Sequence, residues 1–513
     1  MIWFRPGILV LSLSAVAALL CFAITNVSRT NFWYDESMQF WISLGVDGFG
    51  APFTPPGTFK DVIRQNATAN LDPGGFSILL AFWIKLSTGE AWQRLLPLIF
   101  FASGMAGLGW IGWTRLRSIP FTMLSAFVPA AFPLLLDYAT EVRAYSMEFC
   151  GIVIGCIALD GLALRRGIGV AISGGIVVGF FLTSRYSYAM FAAAACVALA
   201  YSELTARSGK TAVLVRLSAF AGPVAIWATL VFFVTLSPQY KLRISYNGGE
   251  LIQYFASATA ADKSPREIAA MALSNLFALP ALPLTLAALF GLGVLIQRRG
   301  RAGRATETIL PEMNLFGVLA LAAIVFTILA WRWYPWDINK KWSLWLQALS
   351  TVATVNLAAT LLRVAGSRNQ SGWATHRRLA ALILLGTAFA LELRLATYSR
   401  PALNSVVPVI EFLNRAAPAP ATTAVDVGWY PTVRYFYEYG SFAGNSLYPF
   451  SFSLPYWTAA NPLVSERTEY LVTALSLPDA ALKFPQSEIL RDPALPDQLY
   501  RVRPAHSERG STD

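Results

Sequence analysis

Long apolar segments alternate with short polar segments along most of the chain. About eleven stretches have the ~20 mostly apolar residues that a helix needs to cross ~30 Å of hydrocarbon. They begin at Gly7, Trp92, Ile119, Ser146, Ile168, Ser187, Leu217, Leu276, Leu315, Trp342 and Leu379. This pattern predicts an all-α polytopic membrane protein with about eleven transmembrane helices, the first of which is retained rather than cleaved as a signal peptide.

Basic residues fall on alternate loops between these stretches, and short cytoplasmic loops are the ones that keep positive charge. The residues that mark one side are Arg5, Arg115, Arg117, Arg165, Arg166, Arg207, Lys210, the cluster 298–304 and the segment 363–378. We therefore expect the N-terminus inside and, after eleven crossings, the C-terminus outside. The loop 28–91 then lies on the outer side.

The first outer loop contains one apolar segment, Gly75 to Leu86, which is about a dozen residues long and too short to cross. We expect it to lie along the outer membrane surface. The part from Val46 to Pro73 is rich in Gly, Pro and Asn, and we expect it to be irregular.

The chain becomes polar from about Thr397 onward. Two runs, Ala424 to Trp429 and Tyr470 to Val472, have the composition of short strands. The sequence thus predicts a transmembrane domain over residues 1–396 and a small mixed α/β domain, outside the cytoplasm, over residues 397–513.

Composition agrees with a membrane protein, because hydrophobic residues make up 55% of the 513 and charged residues only 13%, against roughly 25% charged in soluble domains. The net charge of +11 is spread between apolar segments, which argues against a nucleic-acid partner. His376 and His506 lie in polar segments, so chemistry based on histidine is not expected.

Two adjacent carboxylates, Asp35 and Glu36, follow the first apolar stretch within the sequence Asn31-Phe32-Trp33-Tyr34-Asp35-Glu36-Ser37. An acidic pair here is explained either by a solvated helix end or by chemistry. In the second case one carboxylate takes a proton from an acceptor hydroxyl or helps to hold a cation.

A second charged group, Asp137 to Tyr145, follows the third stretch on the same expected side. If this segment is helical, Glu141 and Tyr145 share a face and Arg143 points elsewhere. The group is either an ion pair at a helix junction or part of a substrate path at the membrane edge.

Three more basic residues on the expected outer side are candidates for binding a phosphate: Arg185, which lies between two apolar spans and precedes Tyr186 and Tyr188, and Lys340 and Lys341. Arg185 is either a phosphate ligand with paired donors or an interfacial anchor. Lys340 and Lys341 depart from the inside bias of positive charge and predict an anionic partner, such as a lipid phosphate or ordinary headgroups.

Trp33-Tyr34-Asp35-Glu36 after the first span, an apolar segment ending near Glu90-Ala91-Trp92, and Glu141-Val142-Arg143-Ala144-Tyr145 together resemble the C-type membrane glycosyltransferases. The branch most similar contains the protein O-mannosyltransferases and aminoarabinose transferases, of the glycosyltransferase family 39 type. The motifs cover roughly the first 190 residues, and the remainder is similar in architecture only.

This resemblance implies an enzyme that moves a hexosyl or pentosyl group from a polyprenyl-phosphate donor, usually with inversion, on the outer face of a membrane. It assigns catalysis to Asp35, with Glu36 as its neighbour. The chain departs from the family at Asp72-Pro73-Gly74-Gly75, where consecutive prolines are common, and the nearest counterpart of a basic-aromatic pair is Lys341-Trp342.

Several alternatives remain open at this point. A polysaccharide ligase or polymerase, or a lipid-sugar transporter or flippase, would also need many spans and a few charges near a headgroup. Magnesium or manganese bridging Asp35 and a phosphate is compatible with the residues but not required by them. Lipid, protein and polysaccharide all remain acceptors. A multi-pass protein of a bacterial inner membrane, with a periplasmic site, fits the pattern.

Topology mapping tests the predicted orientation of the chain in the membrane. Single cysteines placed in the segment around Asp35 should react with a membrane-impermeant reagent added outside, because an odd number of spans separates that segment from the N-terminus. Cysteines between Arg115 and Arg117 should react only after permeabilisation. Labelling of the Asp35 segment from the cytoplasmic side would contradict the predicted orientation.

Overall fold

The computed structural model divides the chain into two compact units. The first contains Met1–Val27, Leu71–Phe76 and Arg94–Arg400, and the second contains Ser28–Asn70, Ser77–Gln93 and Pro401–Asp513. The structure describes residues 4–28, 32–51, 53–70, 72–164, 167–205, 210–246, 264–299, 311–331, 341–367, 373–400, 406–416, 423–425, 429–440, 470–473, 476–483, 487–497 and 499–504.

Most of the described residues are helical. The helices are α1 Phe4–Val27, α2 Tyr34–Leu44, α3 Phe59–Ala69, α4 Gly75–Trp83, α5 Glu90–Leu116, α6 Ile119–Phe127, α7 Pro133–Asp137, α8 Tyr145–Leu164, α9 Ile168–Phe181, α10 Tyr188–Thr205, α11 Lys210–Val231, α12 Ser237–Tyr246, α13 Pro265–Leu276, α14 Leu282–Arg299, α15 Pro311–Trp331, α16 Leu344–Ser367, α17 Trp373–Thr397, α18 Val407–Ala416, α19 Tyr430–Glu438 and α20 Leu477–Lys483. The strands are β1 Thr423–Val425, β2 Tyr470–Val472, β3 Ser487–Leu490 and β4 Leu499–Pro504.

Within the described ranges, five helical segments are long and apolar enough to cross a membrane. They are Glu90–Leu116, Tyr145–Ala163, Tyr188–Thr205, Lys210–Lys241 and Leu344–Val364. This confirms the predicted helical membrane character. The total of eleven spans stays a prediction, and shorter apolar helices occur at Leu13–Val27, Ile119–Ala131, Ile168–Phe181, Leu282–Gly293 and Leu315–Ala330.

The stretch predicted to be one helix from Ile119 is instead broken into pieces. Helix α6 passes into a 3₁₀ turn at Val128–Ala131, and α7 begins at Pro133. Pro129 and Pro133 cause the breaks, because proline has no N–H to donate and its ring displaces the preceding turn. The break leaves Asp137 as the last residue of the short helix α7 and Glu141 in the irregular segment that follows it.

Helices α14 and α15 of the first unit approach closely at two glycines. A Cβ added to Gly291 would lie 2.4 Å from the carbonyl group of Gly317. Small residues allow such backbone contact in membrane helices, where packing rather than hydrophobic transfer drives association.

The predicted irregular segment from Val46 to Pro73 is wrong in its central part, where α3 forms. Thr58 caps this helix: its N–H and its hydroxyl donate to Asp61 Oδ2 at 2.8 Å and 2.6 Å. The hydrogen bonds from Thr58 hold the pKa of Asp61 below its ordinary value. A capping residue followed three positions later by an acid starts a helix, and this local signal outweighs the Gly and Pro content around it.

The apolar segment at Gly75 forms α4, whose nine residues are too few to cross a membrane. Its end is joined to the start of α5 by two tryptophans of the second unit. The rings of Trp83 and Trp92 stack at 4.5 Å. Each indole N–H donates to the other residue's carbonyl oxygen, at 2.7 Å and 3.0 Å. The direction of α4 is therefore set relative to the first turn of α5.

The second unit also contains a four-stranded sheet in the order β1-β2-β4-β3, which confirms the predicted strand at Tyr470–Val472. Strands β1 and β2 are parallel and the other pairs are antiparallel. In the run predicted from Ala424, β1 covers Thr423–Val425, and residues 426–428 lie outside the described ones. Leu471, Ile489 and Val502 pack with Ala480 of α20 in the core beside the sheet.

Arg434 of α19 holds another part of the second unit together. Its guanidinium carbon lies 4.0 Å from the ring centroid of Trp41. Its Nε is 2.7 Å from Glu438 Oε1, and its Nη1 donates to the carbonyl of Asp47 at 2.7 Å. Neither side chain of the pair with Glu438 is more than 2% exposed.

We expect Arg434→Ala to lower the stability of the second unit by about 3–5 kcal/mol, because it leaves Glu438 buried without its cation. The matched control is Arg415→Ala. Arg415 also pairs with a glutamate four residues away, but at 3.7 Å and with side chains 79% and 49% exposed, so its loss should cost less than about 1 kcal/mol. Thermal unfolding of the detergent-solubilised variants measures the difference in stability. Equal decreases in the melting temperature of the two variants would contradict the structural role of Arg434.

Candidate functional site

A cluster of charged side chains in the first unit gathers at one end of its helices. Arg143 lies two residues before α8, Arg185 lies between α9 and α10, and Asp72 lies in the turn before α4. One oxygen of Asp72, Oδ2, is 3.5 Å from Arg143 Nη2, and the other, Oδ1, is 3.5 Å from Arg185 Nε. The carboxylate thus bridges two arginines.

The backbone at Asp72 is positioned by hydrogen bonds from two sides. Gln239 Nε2 donates to the Asp72 carbonyl at 3.0 Å, and the Gly75 N–H donates to the Thr183 carbonyl at 2.9 Å. Gly74 has a φ of +93°, and a Cβ on Gly75 would lie 2.2 Å from Thr183 Oγ1. This turn and its close approach to Thr183 require glycine at both positions.

Arg185 is almost entirely buried and has a second acidic partner in Glu148. Arg185 Nη1 lies 3.2 Å from Glu148 Oε2 and donates to the Lys341 carbonyl at 3.0 Å. The Ser187 hydroxyl donates to the other oxygen of Glu148. A buried arginine needs such partners, because a charge without compensation in a low-dielectric interior is costly.

Two tyrosines lie beside the guanidinium group. The Arg185 guanidinium carbon is 4.4 Å from the ring centroid of Tyr145, and that ring is 4.2 Å from the ring of Tyr138. Burial and the nearby Glu141 carboxylate raise the pKa of Tyr138 well above its ordinary value. The Tyr138 hydroxyl therefore stays neutral and adds no charge to the cluster.

The Glu141 carboxylate pairs with a basic residue that is distant in sequence, Arg400. Its Oε2 is 2.5 Å from Arg400 Nη2. The segment from Tyr138 to Ala144 is not helical, because α8 begins only at Tyr145. The condition for Glu141 and Tyr145 to share a helix face is therefore not met.

Arg400 belongs to a group of bonded residues at the end of α17, here called the clasp, which also contains Asn26, Asp137, Glu141 and Tyr398. The Arg400 N–H donates to Asn26 Oδ1 at 2.8 Å, and Asn26 Nδ2 donates to the Tyr398 carbonyl at 2.9 Å. The Tyr398 hydroxyl donates to the Asp137 carboxylate. Of the charged group from Asp137 to Tyr145, Asp137 and Glu141 thus bond residues at the end of α17, whereas Arg143 joins the cluster with Asp72.

A π-helical segment at Phe232–Leu236 joins α11 to α12. Thr235 of this segment and Gln239 of α12 contact residues of, or next to, the charged cluster. Tyr186 donates its hydroxyl to Gln239 Oε1 at 2.9 Å and lies 3.4 Å from Thr235 Oγ1. Gln239 in turn holds Asp72. Short π segments inside long helices are frequent at functional sites because they shift side chains around the helix axis.

Asp35 and Glu36 belong to the second unit, in the first turn of α2. Glu36 is fully buried, and its Oε2 accepts from the Trp33 N–H at 3.4 Å, so it caps the start of the helix. Asp35 is partly exposed. Of the adjacent pair, Asp35 is thus the residue that is partly exposed, and Glu36 is the one that is buried.

The predicted lysines fall at the edge of what the structure describes. Lys340 lies outside the described residues, and Lys341 begins a 3₁₀ turn before α16 and contributes its carbonyl to Arg185. Within the described ranges, no group of three or more His, Cys, Asp or Glu side chains is arranged to hold a metal ion. The role of magnesium or manganese, and of Asp35 as a possible ligand, stays a prediction.

Three residues of this arrangement were not singled out from the sequence: Glu148, Gln239 and Arg400. Glu148 had a signal, since it is an acid within a mostly apolar span, where ionisable groups are costly and usually functional or paired. Gln239 and Arg400 follow long apolar helices, and their local sequence does not distinguish them from ordinary polar ends.

Comparison with known proteins assigns the chain to no family, since no family model matches it and no curated protein matches its sequence.

A double-mutant cycle on Glu141 and Arg400 tests the clasp. We expect Arg400→Ala to lower the free energy of unfolding by about 3 kcal/mol, because it removes the cation 2.5 Å from a fully buried carboxylate. The double variant Glu141→Gln, Arg400→Ala should lose less stability than the two single variants lose together. The difference, which is the coupling energy, should be about 1–3 kcal/mol. Additive losses in denaturant unfolding would show that the two side chains act independently.

Proposed function

We propose that the protein is a membrane glycosyltransferase that moves a hexosyl or pentosyl group from a polyprenyl-phosphate donor to a lipid, protein or polysaccharide acceptor. The proposal includes the outer face of the membrane, in a bacterial inner membrane the periplasmic side, as the site of transfer. It extends the sequence resemblance to the C-type family of the O-mannosyltransferase and aminoarabinose-transferase branch.

The observation that carries the proposal is the paired placement of Arg143 and Arg185 at the ends of apolar helices. Guanidinium groups bind phosphate oxygens through several donors at once. Because Arg185 is buried and held by Glu148 and Tyr145, its charge is already oriented before a ligand arrives. Preorganised charge in a water-poor site stabilises a developing anion more than the same charge in water.

The position of the cluster also favours a lipid-linked substrate. Arg143 lies just before a span and Arg185 in a short connection between apolar helices. A polyprenyl chain in the bilayer would bring its phosphate to that level. A carrier would be expected to place its ionisable groups on broken helices near the bilayer midplane, and Asp72, Arg143 and Arg185 lie instead at helix ends.

The resemblance implies that the acceptor hydroxyl loses its proton to Asp35 as its oxygen bonds to the anomeric carbon. The bond from that carbon to the phosphate oxygen breaks, and its electron pair stays on the phosphate, which leaves as a polyprenyl phosphate. The role of Asp35 rests on the resemblance and on its partial exposure. The role of Arg143 and Arg185 is to bind the phosphate and stabilise its increasing charge.

Transfer of a radiolabelled sugar from a set of polyprenyl-phosphate donors tests the proposal. We expect Asp35→Asn to lose about 10²–10⁴-fold in rate, the usual contribution of a general base. Arg185→Ala should lose about 10²-fold in kcat/KM, because it removes a cation from the leaving phosphate.

Glu411→Gln, which changes an exposed carboxylate of α18, is the control for Asp35→Asn and should transfer at the native rate. Thermal unfolding of each variant separates loss of chemistry from loss of fold. Full transfer by Asp35→Asn, or transfer by no donor in the native protein, would remove the enzymatic proposal. Loss of activity in EDTA, restored by magnesium or manganese, would add a metal to the mechanism.

A further inference from the structure

The Asp72 carboxylate lies where an anionic ligand of Arg143 and Arg185 would lie. Each of its oxygens faces a different arginine, at 3.5 Å in both cases. A phosphate group has the same ability to offer separate oxygens to two guanidinium groups. The two anions would therefore compete for the same pair of cations.

Charge balance makes this competition strong. Asp72 and Glu148 offset the two positive charges of Arg143 and Arg185. A phosphate would add one or two negative charges to a site from which water is largely excluded. Like charges that close disfavour one another, so one carboxylate must withdraw, be protonated or be bridged by a cation.

Asp72 is the carboxylate placed to withdraw. Glu148 is fully buried within α8, 3.2 Å from Arg185 and bonded to Ser187. The side chain of Asp72 is 10% exposed, and its contacts with both arginines are longer than the 2.7–2.9 Å that is usual for charge-assisted bonds. A phosphate that approached to that distance would interact more strongly with both guanidinium groups.

The hydrogen bonds around Asp72 allow its side chain to turn without moving the chain. Gln239 and Thr183 hold the backbone at Asp72 and Gly75. Rotation about the Cα–Cβ bond moves the carboxylate while these backbone hydrogen bonds stay in place. We propose that Asp72 occupies the anion position in the unloaded protein and that the phosphate of a lipid ligand displaces it, which makes Asp72 an autoinhibitory counter-ion.

The proposed function supplies only the nature of the lipid, and a binding measurement tests Asp72 without any transfer reaction. The probe is farnesyl phosphate, a short polyprenyl phosphate, titrated against the full chain in nanodiscs of neutral lipid with EDTA present. Asp72→Asn keeps the size of the side chain and removes the competing charge. Its dissociation constant should fall by on the order of tenfold, about the contribution of one bond to a charged group.

Asp137→Asn is the matched control. It removes the same charge from the same unit, but Asp137 bonds Tyr398 and no arginine of the cluster. Its dissociation constant should stay within about twofold of the native value, a free-energy change of about 0.4 kcal/mol. Equal tightening in both variants would mean that net charge alone is responsible, and it would overturn the proposal.

Two further results would also overturn it. One is unchanged or weaker binding by Asp72→Asn in EDTA. The other is native binding that requires magnesium and is lost in Asp72→Asn, which would make Asp72 a metal ligand. If Asp72→Asn fails to fold, Asp72→Ser serves the same comparison, since it also removes the charge.

The outcome for Asp72 is distinguishable from that for the enzyme. Tighter binding by Asp72→Asn, with no sugar transfer from any donor by the native protein, supports the counter-ion and removes the glycosyltransferase. Efficient transfer by the native protein, with weaker farnesyl phosphate binding by Asp72→Asn, supports the enzyme and removes the counter-ion.

Discussion

The buried guanidinium group of Arg185 is the constraint on which the arrangement of the charged cluster depends. A cation in a low-dielectric interior has to be compensated by close anions and dipoles. Arg185 obtains them from the turn before α4, from the first turn of α8 and from the carbonyl of Lys341. Segments far apart in sequence are thereby required to meet at one end of the helices, and the glycines at 74 and 75 follow from that requirement.

The groups that compensate the charge of Arg185 also determine how the cluster can bind an anion. Glu148 and Tyr145 keep the guanidinium in place, so an anion that enters meets an oriented cation rather than a flexible one. Orientation before binding is what distinguishes a site from a surface charge, because no reorganisation is needed as charge develops. The cost is an internal carboxylate, Asp72, that shares the cations.

Neighbouring residues of like type have different roles in this protein, and backbone conformation separates them. Glu141 and Arg143 are two positions apart on irregular backbone, and one bonds Arg400 while the other approaches Asp72. Asp35 and Glu36 are adjacent in the first turn of α2, and one is partly exposed while the other caps the helix from inside. Acidic residues in a motif are thus not equivalent candidates for catalysis.

The sequence by itself determined the helical membrane character, the small sheet near the C-terminus and the helix too short to cross at Gly75, because apolar run length and strand composition are local properties. The cap at Thr58 and Asp61 is also a local signal, although the Gly, Pro and Asn content around it led to the wrong prediction of irregular structure where α3 forms. Only the tertiary structure decided which charges pair. Asp72 and Arg143 are 71 residues apart, and Glu141 and Arg400 are 259 apart. No local pattern encodes such a choice, because a charged side chain takes its partner from whichever distant segment the packing of apolar helices brings within reach.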